Sequence, residues 1–166
     1  NANAADVAPD QVGNFKIMRE GTQRWLVTSQ SADSLWPKLE TFWKNQGFNL
    51  TMDSPSTGMM ETDWAENRAK IPDDIIRRTI GRVFDSLYST GERDRFRTRV
   101  ERDSNGKTEI YITHQGVQEV LTGQDKETST WTPRPTDPGL EAEFLMRLMV
   151  ALGDNEAQAK AQVQQT

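Results

Sequence analysis

The chain has 166 residues, 27% charged and 34% hydrophobic, which suits one ordinary domain with a tail, or at most two small domains. Its net charge of −5 argues against general nucleic-acid binding, whose footprint is a basic domain, and its Trp, Phe, Ile and Leu content argues against disorder throughout. Without cysteine there are no disulfides, thiol catalysis or thiolate zinc sites, and no apolar run approaches the ~18 residues of a membrane span.

Residues 1–13, NANAADVAPDQVG, carry no periodic apolar residues and read as a flexible tail. The chain starts without Met or a basic and apolar leader, so it is expected to be a piece of a longer precursor, with any targeting segment outside it. Arg24 to Ser29 is a short strand, with Trp25 and Val27 on one face and Leu26 on the other. In SADSLWPKLETFWKNQG, Leu35, Trp36, Leu39, Phe42 and Trp43 recur at helical spacing. Ser34 is the expected N-cap, with Pro37 in the first turn, and Gly47 stands where a left-handed C-terminal cap belongs.

Two strands follow, Phe48 to Met52 and Gly58 to Trp64, across the turn-like DSPSTG. Ile76, Ile80, Val83, Phe84 and Leu87 share one helical face, which predicts a helix over 73–87 despite Gly81 inside it. The next stretch, GERDRFRTRVER, sets Arg93, Arg95, Arg97 and Arg99 at every second position, so a strand carries all four on one face. It pairs with TEIYITHQG across DSNGK. A three-residue loop with Gly106 left-handed sets Val100 against Ile110, Thr98 against Ile112 and Phe96 against His114; a one-residue slip would bury the arginines. Val117 to Leu121 and Thr128 to Thr132 read as two further strands. Asp137 caps the last helix and Pro138 takes its first position; Leu140, Phe144, Leu145, Leu148, Leu152 and Met149 are its buried face, and Gly153 ends it. DNEAQAKAQVQQT has no apolar face and reads as a linker. One antiparallel sheet packed on apolar helices near each end is an α+β architecture.

The arginine row is the most distinctive feature. Its plain reading is a solvated strand face, with Arg97 and Arg99 over Tyr111 and paired to acids such as Glu92 and Glu109. Its functional reading is a docking face for an acidic partner or for lipid headgroups. His114, the sole histidine, has no nucleophile motif beside it, and its place opposite Phe96 points to a structural role. Glu61, Asp63 and Glu66 form the nearest acidic cluster but lack calcium-loop spacing. Asn49, Leu50 and Thr51 match a glycosylation sequon inside an expected strand, where no sugar is expected. Met59, Met60 and the methionines of the last helix serve as core filler or line an apolar ligand cavity. No catalytic residue, cofactor site or metal site is assigned.

Four stretches taken together, ETDWAENRAK at 61–70, FDSLYSTGERDRFRTRVER at 84–102, EIYITHQG at 109–116 and WTPRPTDPGLEAEFLMRLM at 131–149, resemble the BamC family of outer-membrane lipoproteins from the β-barrel assembly machinery. The resemblance runs over about residues 15–153. It implies a helix-grip fold, an antiparallel sheet packed against long α-helices, and a division into a flexible extended tail at 1–22, a helix-grip domain at 23–153 and the start of a linker at 154–166. It implies a non-enzymatic accessory role in inserting β-barrel proteins into the outer membrane. The expected partners are other subunits of that complex, chiefly a TPR-like lipoprotein held by the extended N-terminal segment, with a lipid anchor outside this sequence and the domain on the periplasmic side. A different class, a carrier of hydrophobic ligands, stays open, because helix-grip folds can hold a cavity between sheet and helix; a contiguous apolar space of roughly 300 Å³ would mark it.

Overall fold

The computed structural model describes residues 15–65, 91–123 and 128–153. In chain order the elements are β1 (Phe15–Glu20), β2 (Gln23–Thr28), α1 (Ala32–Asn45), β3 (Leu50–Ser54), β4 (Met59–Thr62), β5 (Glu92–Arg102), β6 (Thr108–Thr122), β7 (Thr128–Arg134) and α2 (Pro138–Ala151). All strand pairs are antiparallel, in the order β1-β2-β6-β5-β4-β3, and β7 pairs with β6 beside that path. The 15-residue β6 is the spine. One of its edges runs the length of β5, while the other takes β2 at Thr108–Ile110 and β7 at Gly116–Thr122.

The α+β expectation holds. Both helices, however, are ordinary 14-residue elements rather than long ones, about 21 Å each at 1.5 Å per residue. The β5–β6 register is the one the face argument requires, with Val100 opposite Ile110, Thr98 opposite Ile112 and Phe96 opposite His114. Asp103 N–H donates to Lys107 O to close the loop, and Gly106 stands at φ 81 as the left-handed residue. The stretch expected as a separate strand after Gly116 is the continuation of β6.

Phe15–Glu20 departs from the expected flexible 1–22 tail. It forms β1 and buries Phe15 and Ile17 in the core. Its alternation, apolar at 15 and 17 and charged at 16 and 19, spans too few residues to stand out from a polar N-terminus. The helix predicted over 73–87 lies outside the described residues.

Helix α1 begins one turn earlier than Ser34: Ser31 is the N-cap, its Oγ accepting from Ser34 N–H at 3.2 Å. Pro37 therefore sits inside the helix, on its exposed side. The C-terminus closes as a Schellman turn, in which Phe48 N–H donates to Trp43 O and Gly47 N–H to Lys44 O, with Gly47 at φ 94. This turn drives Phe48 back into the core.

Trp43 is the centre of that core. Its ring lies 4.9 Å from Phe42, 5.5 Å from Phe48, 5.4 Å from Phe96 and 5.5 Å from Phe144. One residue thus ties α1, β5 and α2 together. Its indole N–H donates to the buried Thr98 Oγ1 at 2.9 Å, so the polar edge of the ring is satisfied inside the core. Helix α2 starts as expected, with Asp137 Oδ1 accepting from Gly139 and Leu140 N–H. It is buried almost all round, for beyond the predicted face Ala142, Met146 and the ion pair of Glu143 and Arg147 are buried too.

Candidate functional site

β5 alternates strictly. Asp94, Phe96, Thr98 and Val100 point into the core, and Arg93, Arg95, Arg97 and Arg99 point to the opposite face. That face continues across β6 through Tyr111, Thr113, Gln115 and Val117, and across β2 through Trp25. Each arginine is half-buried on it rather than extended into solvent.

The guanidinium of Arg93 lies 4.1 Å over the Trp131 ring, that of Arg95 4.4 Å over Trp64, and that of Arg99 4.3 Å over Tyr111. Such stacking is worth about 0.5–1 kcal/mol each at exposed sites. Glu61 on β4 stands opposite Arg97 in the register and serves two cations, Arg97 Nε at 3.1 Å and Arg95 Nη1 at 3.7 Å. Arg95 Nε also donates to Gln115 at 2.6 Å, and Arg99 pairs with Glu101 at 2.7 Å. Trp25 stacks on the far side of Tyr111, ring centres 5.4 Å apart. The face is a lattice of planar groups whose guanidinium edges, held in place by rings, can offer N–H donors to an incoming carboxylate.

The structure thus brings all four predicted arginines together but changes some of their expected partners. Only Arg99 lies over Tyr111, and Arg97 turns to Glu61 because β4 runs beside it. Glu109 instead accepts from the Tyr111 hydroxyl at 3.1 Å. Burial first, then that hydrogen bond, push the Tyr111 phenol above its ordinary value, so it remains a donor. Sequence reasoning missed Trp64 and Trp131 as platforms. Each lies outside the arginine run and reaches it only through strand pairing.

On the inner face the same register builds a polar lock. Asp94, Gly116 and Arg134 are neighbours across β5, β6 and β7. A Cβ on Gly116 would stand 2.9 Å from the Arg134 guanidinium, so the absent side chain is what lets Arg134 lie across β6 onto Asp94. His114 Nε2 meets Asp94 Oδ1 at 2.6 Å, and both side chains are 0% exposed. Asp137 N–H donates to His114 Nδ1 at 3.0 Å, and His114 N–H donates to Glu141 Oε2 at 2.8 Å. With Nδ1 occupied as an acceptor, the hydrogen-bond network puts the ring proton on Nε2, facing Asp94. Both nitrogens are engaged inside the fold, so His114 has no lone pair to offer a substrate and acts as a strut between the sheet and α2. Burial pushes the Glu141 carboxyl above its ordinary value, while the His114 N–H pulls it back.

Glu61 is engaged by Arg95 and Arg97, and Glu66 lies outside the described residues. Among the described residues no group of three or more His, Asp or Glu side chains is placed to hold a metal ion, and no helix is long and apolar enough to cross a membrane. The space between sheet and helices is occupied by Trp43 and its surrounding rings, and Met60 and Met149 are wholly buried among them. A groove of about 220 Å³ lies instead at the surface, between the start of α1 (Ala32, Asp33, Trp36) and the β3–β4 turn (Pro55 to Gly58).

A family model described as "Outer membrane protein assembly factor BamC-like N-terminal domain" matches residues 12–166. The chain is 54% identical over 153 residues to "Outer membrane protein assembly factor BamC" of Thiobacillus denitrificans, covering 91% of this chain and 41% of that protein. It is 52% identical over 161 residues to the protein of the same name from Accumulibacter regalis, covering 96% and 42%. It is also 46% identical over 151 residues to an uncharacterized protein of Neisseria meningitidis serogroup B, covering 90% and 38%. The chain therefore spans about two fifths of the length of these relatives.

Proposed function

The chain belongs to the BamC-like N-terminal domain family, and from that membership we propose that it is a non-enzymatic accessory domain of the complex that inserts β-barrel proteins into the outer membrane. Its contribution is positional: a stiff domain presents the arginine–aromatic face to an acidic surface of another subunit. The observation that carries this reading is the clustering of four ring-stacked or ion-paired arginines on one sheet face of a chain whose net charge is −5. Arg and Trp or Tyr side by side are the groups that dominate binding energy at protein interfaces. The engaged ring of His114 fits a domain built for contact rather than for proton transfer.

To the same proposal belong a helix-grip description of the sheet and its two helices, a TPR-like lipoprotein as chief partner, a linker after Gly153, and attachment to the periplasmic side of the outer membrane through an N-terminal lipid.

Two forms of this protein test it by co-elution with the purified TPR-like subunit: the chain as it stands, and a version beginning at Phe15. A cut at Gln23 would remove β1 with its buried Phe15 and Ile17 and confuse loss of binding with loss of fold. Binding by both, weakened when Arg95 and Arg97 are changed to Glu, supports the face as the docking surface. Unchanged affinity in the charge-reversed variant overturns it.

A further inference from the structure

Among the described residues the sheet has three margins, and they are not alike. β1 carries Lys16, Arg19 and Glu20, and β3 is five residues long with a register shift between Leu50 and Met52. Charges and bulges are the usual devices that stop a sheet edge from pairing with another chain. β7, TSTWTPR, has neither over Thr128–Thr132, and its pairing with β6 runs without a shift.

Which of its backbone groups face outward follows from β6. Glu119 N–H donates to Gly91 O on the β5 side, and His114 N–H points the other way, to Glu141. Odd-numbered residues of β6 therefore address β5 and even-numbered ones address β7. Gln118 pairs with Thr132 and Val120 with Thr130, so the groups of Thr130 and Thr132 are used inward. Those of Ser129, Trp131 and Pro133 face outward. That margin offers the N–H and C=O of Ser129 and Trp131 and the C=O of Pro133. Proline has no N–H to give, so pairing stops there.

The side chains beside this margin specify what fits. On the arginine face stand Trp131, 37% exposed, Pro133, and Leu121 on the neighbouring strand, 61% exposed. On the opposite face stand the hydroxyls of Thr128, Thr130 and Thr132. An added strand meets small polar groups on one side; on the other it meets Trp131 and Pro133, with Arg93 stacked on the Trp131 ring and Ser129 holding the Glu119 carboxylate on the neighbouring strand.

We propose that the outer edge of β7 captures an extended strand of a partner polypeptide with period-two amphipathicity, apolar where it passes Trp131 and Pro133 and small and polar where it passes the threonine row. This alternation is that of a transmembrane β-barrel strand, and the binding mode is strand addition, in which main-chain bonds supply affinity and alternate side chains supply selection. The inference rests on the assembly-factor reading only in naming a barrel strand as the occupant. The edge geometry stands apart from it.

The test is amide hydrogen exchange by NMR on the whole chain, with a lysine-flanked synthetic peptide of alternating Val and Thr as probe. A peptide of the same composition with Val and Thr in separate blocks is the control. At a peptide concentration about ten times Kd, exchange at Ser129 and Trp131 should slow by about tenfold with the alternating peptide alone. A Ser129→Pro variant, which deletes an outward donor and spares the ladder to β6, should weaken capture while leaving the charge-dependent binding of the TPR-like subunit unchanged. Equal protection by the block peptide, or no protection at these two amides, overturns the proposal. So does protection that grows with protein concentration without peptide, since that result means two copies pair through β7. Capture that survives Ser129→Pro overturns it as well.

Discussion

Changing Gly116 to Ala probes the inner polar lock at its narrowest point. Gly116 lies in extended backbone within β6, so alanine is tolerated locally and should gain about 0.5–1 kcal/mol from the lower backbone entropy of the unfolded chain. Its Cβ, however, would stand 2.9 Å from Arg134 Cζ and Nη2 and 3.0 Å from His114 Cε1. The guanidinium is the end of a flexible chain and moves away, which separates it from a carboxylate that is 0% exposed. Breaking a buried pair costs about 3–5 kcal/mol when one partner is removed. Arg134 is 14% exposed and Asp94 keeps His114, so the low end applies, about 3 kcal/mol. The expected net loss is about 2 kcal/mol. Urea unfolding read by linear extrapolation measures it, and a thermal midpoint about 4–8 °C lower would accompany it in a chain of this size. The decisive comparison is a cycle with Arg134→Met. If alanine acts by displacing the guanidinium, the double variant is no less stable than Arg134→Met alone. Additive losses would refute the reasoning, because they would place the damage of Gly116→Ala somewhere other than the Arg134–Asp94 contact.

Two further outcomes follow from the core and from the start of α2. Trp43→Phe keeps a ring among Phe42, Phe48, Phe96 and Phe144 but leaves Thr98 without its donor; a loss of about 1–3 kcal/mol is expected, and a stability equal to that of the parent chain in urea would show that the indole N–H bond contributes nothing. The Glu141 carboxyl is raised above its ordinary value of 4.5, chiefly by burial, so its contribution to stability is fully present below that value and is lost as pH rises through the raised one. Relative to Glu141→Gln, which keeps an acceptor for His114 N–H but cannot ionise, the parent chain should therefore lose stability as pH rises from 4 toward 7; a difference that does not change with pH, or changes in the opposite sense, counts against the burial of that carboxyl.

Much of this architecture can be read locally. The helical stripe through Leu35, Trp36, Leu39, Phe42 and Trp43, the left-handed Gly47 after it, and Asp137 with Pro138 at the start of α2 are set by neighbours within a turn or two. So is the alternation in β5. Because one face must be buried, that alternation also determines the register with β6. β1 escaped because Phe15 and Ile17 alternate over only three positions before the exposed Met18 breaks the pattern, and the cap of α1 moved to Ser31 because several serines there satisfy the same local rule.

What the arginines do was decided elsewhere in the chain. Arg97 finds Glu61 from 36 residues away, and Arg134 reaches Asp94 across 40. Alternation states which face a side chain occupies but not which strand will lie beside it, and that neighbour determines whether a guanidinium stacks, pairs or stays in water. The same holds for His114, whose two nitrogens are engaged by β5 and by the start of α2. Local sequence determined the elements and their faces, because backbone propensity and hydrophobic period act over a few residues. Only the tertiary structure decided the partners of the charges and which strands lie at the margins of the described sheet, because polar groups are satisfied by whatever folding brings within about 3 Å of them.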